Sequence, residues 1–370
     1  MNIQQHQHLF ILIHITYILI HMILKNKDIL SHIYKHVDIN DSFNLIQTCT
    51  TIYGHIDLFY DKLYEKHNNL DYVCKYGALK YIKYVYKFNP KCVARAMIEA
   101  ATNGHLEILK WLHERPIVDI SRNRHHSIAA MDGAAKNGHL EVVKWFHEKS
   151  ITDSDRYAGC TTAAMDNAAE NGHLEILKWL HENRAEDCSA RAMSWAAQNG
   201  HLEVVQWLYE NCNKGINMFA MDNAAIMGHL EILKYLHKMF DENCEKGTCS
   251  TLAMNGSAQN GHLEVIKWLH EKSITESDIY TGCTSDAMDW AAMHGHLNVV
   301  KWLHENRSEG CTSDAMDLAA KNGHLEVVQW LHYNRTEGCT IWAMNYAAEN
   351  DDPDSTYRVQ IVKWLRENRS

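Results

Sequence analysis

Residues 137–147 read Asn-Gly-His-Leu-Glu-Val-Val-Lys-Trp-Phe-His, and near-copies of this segment occur eight times between Gly104 and Leu331. The Gly-His pairs fall at Gly104/His105, Gly138/His139, Gly172/His173, Gly200/His201, Gly228/His229, Gly261/His262, Gly295/His296 and Gly323/His324, with spacings of 34, 34, 28, 28, 33, 34 and 28 residues. Recurrence at such a period marks a solenoid, in which each small unit buries its apolar face only against its neighbours. A longer period overlies it: Lys149-Ser150-Ile151-Thr152-Asp153-Ser154-Asp155 returns as Lys272-Ser273-Ile274-Thr275-Glu276-Ser277-Asp278, 123 residues later. A four-unit block has been duplicated.

One unit, Cys311 to Arg335, is predicted to be two helices. Thr312 is a suitable N-cap, and Asp314 and Asp317 put negative charge where the first helix presents its positive end. Ala315, Met316, Ala319 and Ala320 form its apolar stripe, with small side chains that let a neighbouring backbone approach. Asn322-Gly323 ends it, glycine supplying the left-handed conformation favoured past a helix C-terminus. A second helix restarts at Leu325 and runs through Leu331. In the copy at 140–148, Glu141, Lys144 and Glu148 form the wet stripe, while Val142, Val143, Trp145 and Phe146 face inward.

Composition narrows function. The chain has 370 residues, 46% of them hydrophobic, and a net charge of −10. That charge argues against nucleic acid, whose binding needs clustered Lys and Arg. Of the eleven cysteines, six occupy one repeat position: Cys160, Cys188, Cys249, Cys283, Cys311 and Cys339. Packed helices lie about 8–10 Å apart and a disulfide needs Cα atoms within about 7 Å, so equivalent cysteines in adjacent units are not expected to pair. Free thiols imply a reducing, cytoplasmic compartment.

The segment Ala134-Ala135-Lys136-Asn137-Gly138-His139-Leu140-Glu141-Val142-Val143 and its relatives resemble the ankyrin repeat over roughly residues 70–370. The resemblance implies an all-α, ankyrin-type helical-repeat solenoid of about ten units that binds proteins and has no enzymatic activity. It also implies a concave face, made of first helices and finger loops, that holds the partner. Departures are visible. The family's Thr-Pro-Leu-His opening is replaced by variants such as Ser313-Asp314-Ala315-Met316-Asp317, and the 28-residue units are short. Residues 118–126, 151–158, 240–246 and 274–280 are expected to be lengthened fingers. Degenerate end units are read at Tyr76-Gly77-Ala78-Leu79 and at Val359 to Leu365, the latter following an insertion at 351–358. The residue usage is similar to that of ankyrin proteins of large amoebal DNA viruses or protists; in a viral setting the target would be a host protein in the host cytoplasm.

Residues 1–69 read differently. Leu9 to Leu24 is an apolar run of sixteen residues, short of the about 20 a membrane-spanning helix requires, and Met1 to His8 lacks the basic residues of a signal peptide. A buried helix or a membrane tether are its two readings. In 25–69, the spacing of Ile29-Leu30, Ile33-Tyr34, Val37, Asp41, Leu45, Cys49 and Ile52-Tyr53 resembles an F-box, without the usual Leu-Pro opening at 25–27. That resemblance implies docking to a Skp-type adaptor of a cullin ubiquitin ligase through Leu30, Ile33, Tyr34 and Val37. Helices that merely cap the array are the alternative.

Twenty-six histidines invite a metal, but fifteen are repeat positions. One per unit on separate helices cannot converge on a tetrahedral ion, and packing or capping is the expected role, helped by the dipole for those closing a helix. No cofactor motif or nucleophile elbow is present; no cofactor, metal or catalytic residue is expected. The tryptophans Trp111, Trp145, Trp179, Trp207, Trp268, Trp302, Trp330 and Trp364 share one repeat position and are expected in the core. Residues that break register are the informative ones. Trp195, Trp290 and Tyr346 stand before the alanine pair, and Ile226, Met227 and Met293 replace polar residues before the glycine. Apolar groups where neighbours are polar suggest a protein contact surface, local repacking being the alternative. The expected function is a scaffold that captures a protein target, either as substrate receptor of a ligase, as a plain adaptor, or as a membrane-tethered scaffold.

Overall fold

The computed structural model describes residues 69–88, 93–115, 120–212, 218–243, 249–276, 280–348 and 356–368. Leu9–Leu24 and the adaptor-facing Leu30, Ile33, Tyr34 and Val37 lie outside these. The described residues are helical apart from turns and one isolated bridge between Cys249 and Tyr280, as an all-α ankyrin-type array requires. First helices are α1 (Leu70–Cys74), α3 (Val93–Thr102), α5 (Ile120–Lys136), α7 (Thr162–Glu170), α9 (Ala190–Gln198), α11 (Met218–Ile226), α13 (Thr251–Gln259), α15 (Asp286–Met293), α17 (Ser313–Lys321) and α19 (Ile341–Ala348). Second helices are α2 (Leu79–Phe88), α4 (Leu106–His113), α6 (Leu140–Thr152), α8 (Leu174–Asn183), α10 (Leu202–Asn211), α12 (Leu230–Asn243), α14 (Leu263–Thr275), α16 (Leu297–Asn306), α18 (Leu325–Asn334) and α20 (Thr356–Asn368). Among the described residues these pair into ten units. The chain divides into two compact bodies at Ala130/Met131.

In the second body, α7 to α19 stack first helix on first helix, whereas successive second helices meet only sparsely. Side-chain size is the cause. The first helices meet through buried Ala168, Ala169, Ala196, Ala197, Ala224 and Ala225 with Met165, Met193 and Met221 between them; the second helices carry branched and aromatic groups such as Val204, Val205, Leu208 and Trp207. The small residues let backbones approach, so the first helices form the tighter side of this body. Nine of the ten units turn at a glycine, from Gly77 to Gly323. Gly172 has φ 77°, and a Cβ there would lie 2.7 Å from the His201 ring of the next unit. A side chain at that position would meet both a backbone penalty of about 1–2 kcal/mol and a steric clash.

Units are joined by two hydrogen-bonded braces. In the first, a carboxylate of one first helix accepts the backbone N–H and hydroxyl of the residue that caps the next. Asp132 takes Thr161 at 3.0 and 2.7 Å, Asp222 takes Ser250 at 3.0 and 2.6 Å, and Asp289 takes Thr312 at 2.8 and 2.8 Å. Asp166 accepts the Ser189 N–H at 2.7 Å, and Asp317 accepts both donors of Thr340. The cap hydroxyl then accepts the N–H two residues on, as Thr312 does from Asp314 at 3.1 Å. Asp317 is thus buried and spent on the following unit, not on the dipole of its own helix as the sequence reading had it. In the second brace, histidines that follow the turn glycines reach back: Nε2 of His105, His173, His201 and His229 meets the carbonyl oxygens of Lys75, Lys136, Glu170 and Gln198 at 2.9–3.1 Å. His105, His139 and His173 occupy N-cap positions without any side-chain capping bond; for His105 and His173 a cross-unit brace takes its place.

Three expectations are corrected. The supposed finger at 118–126 is helical from Ile120, making α5 a 17-residue helix. The supposed fingers at 151–158, 240–246 and 274–280 begin inside prolonged second helices, α6 to Thr152, α12 to Asn243 and α14 to Thr275, because no glycine or proline interrupts them and Ser150 and Ser273 bond back to the carbonyls of His147 and His270. Of the eight repeat tryptophans only Trp145 is buried; the others are half-buried, since they lie across junctions between second helices that do not close tightly.

The carboxylate brace leads to a stability prediction. Asp289→Ala leaves two Thr312 donors without their acceptor and is expected to cost about 1–3 kcal/mol in denaturant unfolding. Asp289→Asn is expected to retain most of the stability, because Asn255 serves the same role, accepting the Thr284 N–H at 3.1 Å and donating to its hydroxyl at 2.8 Å. Equal losses for Ala and Asn would contradict a hydrogen-bonded brace.

Candidate protein-binding face

The histidines and tryptophans of the second helices are consumed by packing. His147, His181, His237, His270, His304 and His332 each stand edge-on to the tryptophan of the next unit, Trp179, Trp207, Trp268, Trp302, Trp330 and Trp364, with centroids 5.0–5.4 Å apart. Such edge-to-face pairs add to area burial. A cleft of ≈ 300 Å³ opens by the turns at Gly295 and Gly323. Its titratable lining groups are His324 and Glu326, and His324 is bonded to the Met293 backbone, which leaves no pair poised for acid–base work. Among the described residues, one trio, Asp187, Cys188 and Cys212, has ligand atoms close enough to share a metal ion.

The first helices present a different surface. Aligning units on their alanine pair places Arg191, Phe219, Leu252, Asp286, Asp314 and Trp342 four residues before Trp195, Asn223, Gly256, Trp290, Leu318 and Tyr346. Four residues is one helical turn, so both rows share the outward face. Phe219, Leu252 and Trp342 are 61%, 53% and 50% exposed, the degree of exposure that a single-molecule core cannot account for. Pairs within the face are visible: the Arg191 guanidinium lies 6.0 Å from the Trp195 ring, and Trp342 stacks on Tyr346 at 5.4 Å. Lys321 of the preceding unit sits 4.9 Å over the Tyr346 ring.

The structure sorts the six register-breaking residues. Trp195, Trp290, Met293 and Tyr346 are half-buried on the first-helix face, and Met227 is exposed at 43%. Ile226 is half-buried against the next unit: its Cγ1 takes the space that a Cβ of Gly256 would need, 2.5 Å away. Phe219, Leu252 and Trp342 escaped the sequence reading although comparing units one turn earlier reveals them. Their exposure could not be read from periodicity, because an apolar residue at a helical stripe position is ordinarily core.

Stacked helix pairs of this kind define a helical-repeat scaffold, with large exposed apolar residues on first helices at Phe219, Leu252 and Trp342 and on second helices at Ile151, Ile274 and Tyr333. The comparisons with known proteins give the particular family: ankyrin repeats in three copies match residues 128–222, and ankyrin repeats in many copies match 249–304 and 288–332. Over these stretches the chain carries ankyrin repeats. No curated protein matches it. No described helix is long and apolar enough to cross a membrane.

Burial of the histidine ladders makes stability depend on pH. His147, His201, His262, His270, His296 and His324 are all held below their ordinary value near 6.5, first by burial. Arg184 adds to this for His147, Arg307 for His270, and neighbouring rung histidines for His262. The unfolded chain therefore binds protons at a higher pH than the folded one. The stability these neutral rings contribute is complete above the unfolded value and is lost as pH falls toward the folded values. The melting temperature is expected to drop on going from about pH 7.5 to about pH 5.5, and an unchanged or rising value would contradict neutral, buried rungs.

Proposed function

We propose that the first-helix face of residues 190–346 captures a protein target through an apolar centre at Phe219, Leu252 and Trp290, with Trp195, Met227, Met293, Tyr346 and Trp342 around it. The single observation that carries this reading is the adjacency of the exposed Phe219 and Leu252 on consecutive, directly packed helices. Asp286 and Asp314, on the same row, favour a segment whose apolar anchors are flanked by basic residues, and the net charge of −10 agrees. A preformed face of this kind binds without ordering cost on the array side.

Coupling to a cullin ligase through Leu30, Ile33, Tyr34 and Val37 is a finer reading, supported by the apolar spacing of 29–53. It predicts that the full chain with Leu30→Asp and Ile33→Asp loses co-precipitation of a Skp-type adaptor and keeps its array target. Absence of adaptor from the unaltered chain favours a plain adaptor role. Recovery in a carbonate-resistant membrane pellet favours tethering through Leu9–Leu24.

For the face itself, proximity labelling in the native cell followed by binding to the purified full chain is the test. Phe219→Asp with Leu252→Asp is expected to weaken the target by about tenfold or more, the scale of losing a central apolar anchor. Lys267→Ala, on a second helix where it pairs with Glu264 at 2.7 Å, is expected to leave it unchanged. The reverse pattern would move the site to the second helices.

A further inference from the structure

Two departures from the repeat meet at one point. After the second helices α8, α16 and α18 the chain carries Arg184, Arg307 and Arg335, each with extended φ/ψ and each donating its N–H to the leucine carbonyl four residues back. Their guanidiniums lie against the thiols of Cys160, Cys283 and Cys311 in the preceding loop and pair with Glu186, Glu309 and Glu337. After α10 the same backbone position, donating to Leu208, is Cys212. The preceding-loop cysteine it meets is Cys188. The residue before that cysteine is Gly159, Gly282 and Gly310 in the arginine-bearing junctions, but Asp187 here.

The exchanges depend on one another. A Cβ on Gly159 would collide with Arg184, and one on Gly282 or Gly310 would stand 2.7 or 2.6 Å from Arg307 or Arg335. A side chain at 187 is admitted only because the arginine is gone. The result replaces a fixed cation by two metal-ligating residue types, and the ligand atoms of Asp187, Cys188 and Cys212 all lie within 4.8 Å of one another. Cys188 and Cys212 are buried and not joined in a disulfide. Asp187 is held in place by accepting the Cys188 N–H at 2.8 Å.

We propose that Asp187, Cys188 and Cys212 bind a zinc ion in place of the arginine that occupies the equivalent junctions. Zinc–sulfur bonds of about 2.3 Å and zinc–oxygen bonds of about 2.0–2.2 Å need ligand atoms slightly closer together than this pre-gathered trio, a side-chain adjustment. Water completes the tetrahedron. Binding replaces two S–H bonds by two S–Zn bonds and releases two protons, so affinity rises with pH.

Cobalt(II) titration of the reduced full chain reads the site directly through thiolate-to-cobalt charge-transfer absorption. One equivalent is expected to give this band, and zinc to abolish it. Cys188→Ser or Cys212→Ser is expected to remove it, and Asp187→Asn to weaken binding by about tenfold or more. Asp187→Gly with Cys212→Arg rewrites the junction as its neighbours and controls for folding: the melting curve should persist and the band should not. No band at stoichiometric cobalt, the same band in the paired variant, or a Cys188–Cys212 disulfide whose reduction fails to restore binding would each overturn the proposal.

Discussion

Six units of this array, those with first helices α7, α9, α13, α15, α17 and α19, rely on the unit before them to hold the residue that caps the first helix. An N-cap threonine or serine ordinarily satisfies its own helix, but here its N–H, and in five of the six its hydroxyl too, is bonded to an Asp or Asn 23–29 residues earlier, buried in all but Asp132. The buried carboxylate would be costly alone. Two donors from the next unit offset that cost, so neither unit is complete without the other. Histidines such as His173 and His201 close the same junctions from the opposite end by filling the space over the preceding unit's glycine and meeting a carbonyl beside it. Nearest-neighbour dependence of this sort is what makes repeat arrays extend by copying, and the 123-residue duplication fits such growth.

The junction also decides what is left to vary. Alanines, methionine, aspartate, glycine and histidine are committed to neighbours, and so are the histidine–tryptophan pairs of the second helices. Free choice remains on the outer face of the first helices, at the row of Phe219, Leu252 and Trp342 and the row of Trp195, Trp290 and Tyr346. Where a unit relaxes a junction residue, the neighbour answers, as Gly256 does for Ile226 and as Asp187 does for Cys212.

Much of this was legible in the residues. The 28- to 34-residue spacing gave helix pairs, turn glycines and the inward Val142, Val143 and Phe146 correctly, because they depend on local periodicity. Asp317 was misassigned to its own helix end, and the cross-unit bonds of His173 and His201 went unread, for one physical reason: the partners are in another unit, and spacing within a unit carries no signal of it. The tryptophans were placed too deep, since periodicity reports which side of a helix a residue takes and not how closely the next helix approaches. Cys212 was invisible while cysteines were compared only with cysteines; set against Arg184, Arg307 and Arg335 it stands out. Residues 1–68, with the F-box-like spacing, lie outside the described structure, and the reading there rests on sequence alone.

The account makes each junction transferable, and deletion of one whole unit tests that most directly. Removing residues 312–339, 28 residues, joins Cys311 to Thr340 and hands Asp289 the donors that Asp317 now holds. The shortened chain is expected to melt as a folded helical protein in a single transition, with Asp289→Ala in it as damaging as in the parent. Loss of the helical fold, or indifference of the shortened chain to Asp289→Ala, would contradict the claim that the carboxylate brace sets the register of the array.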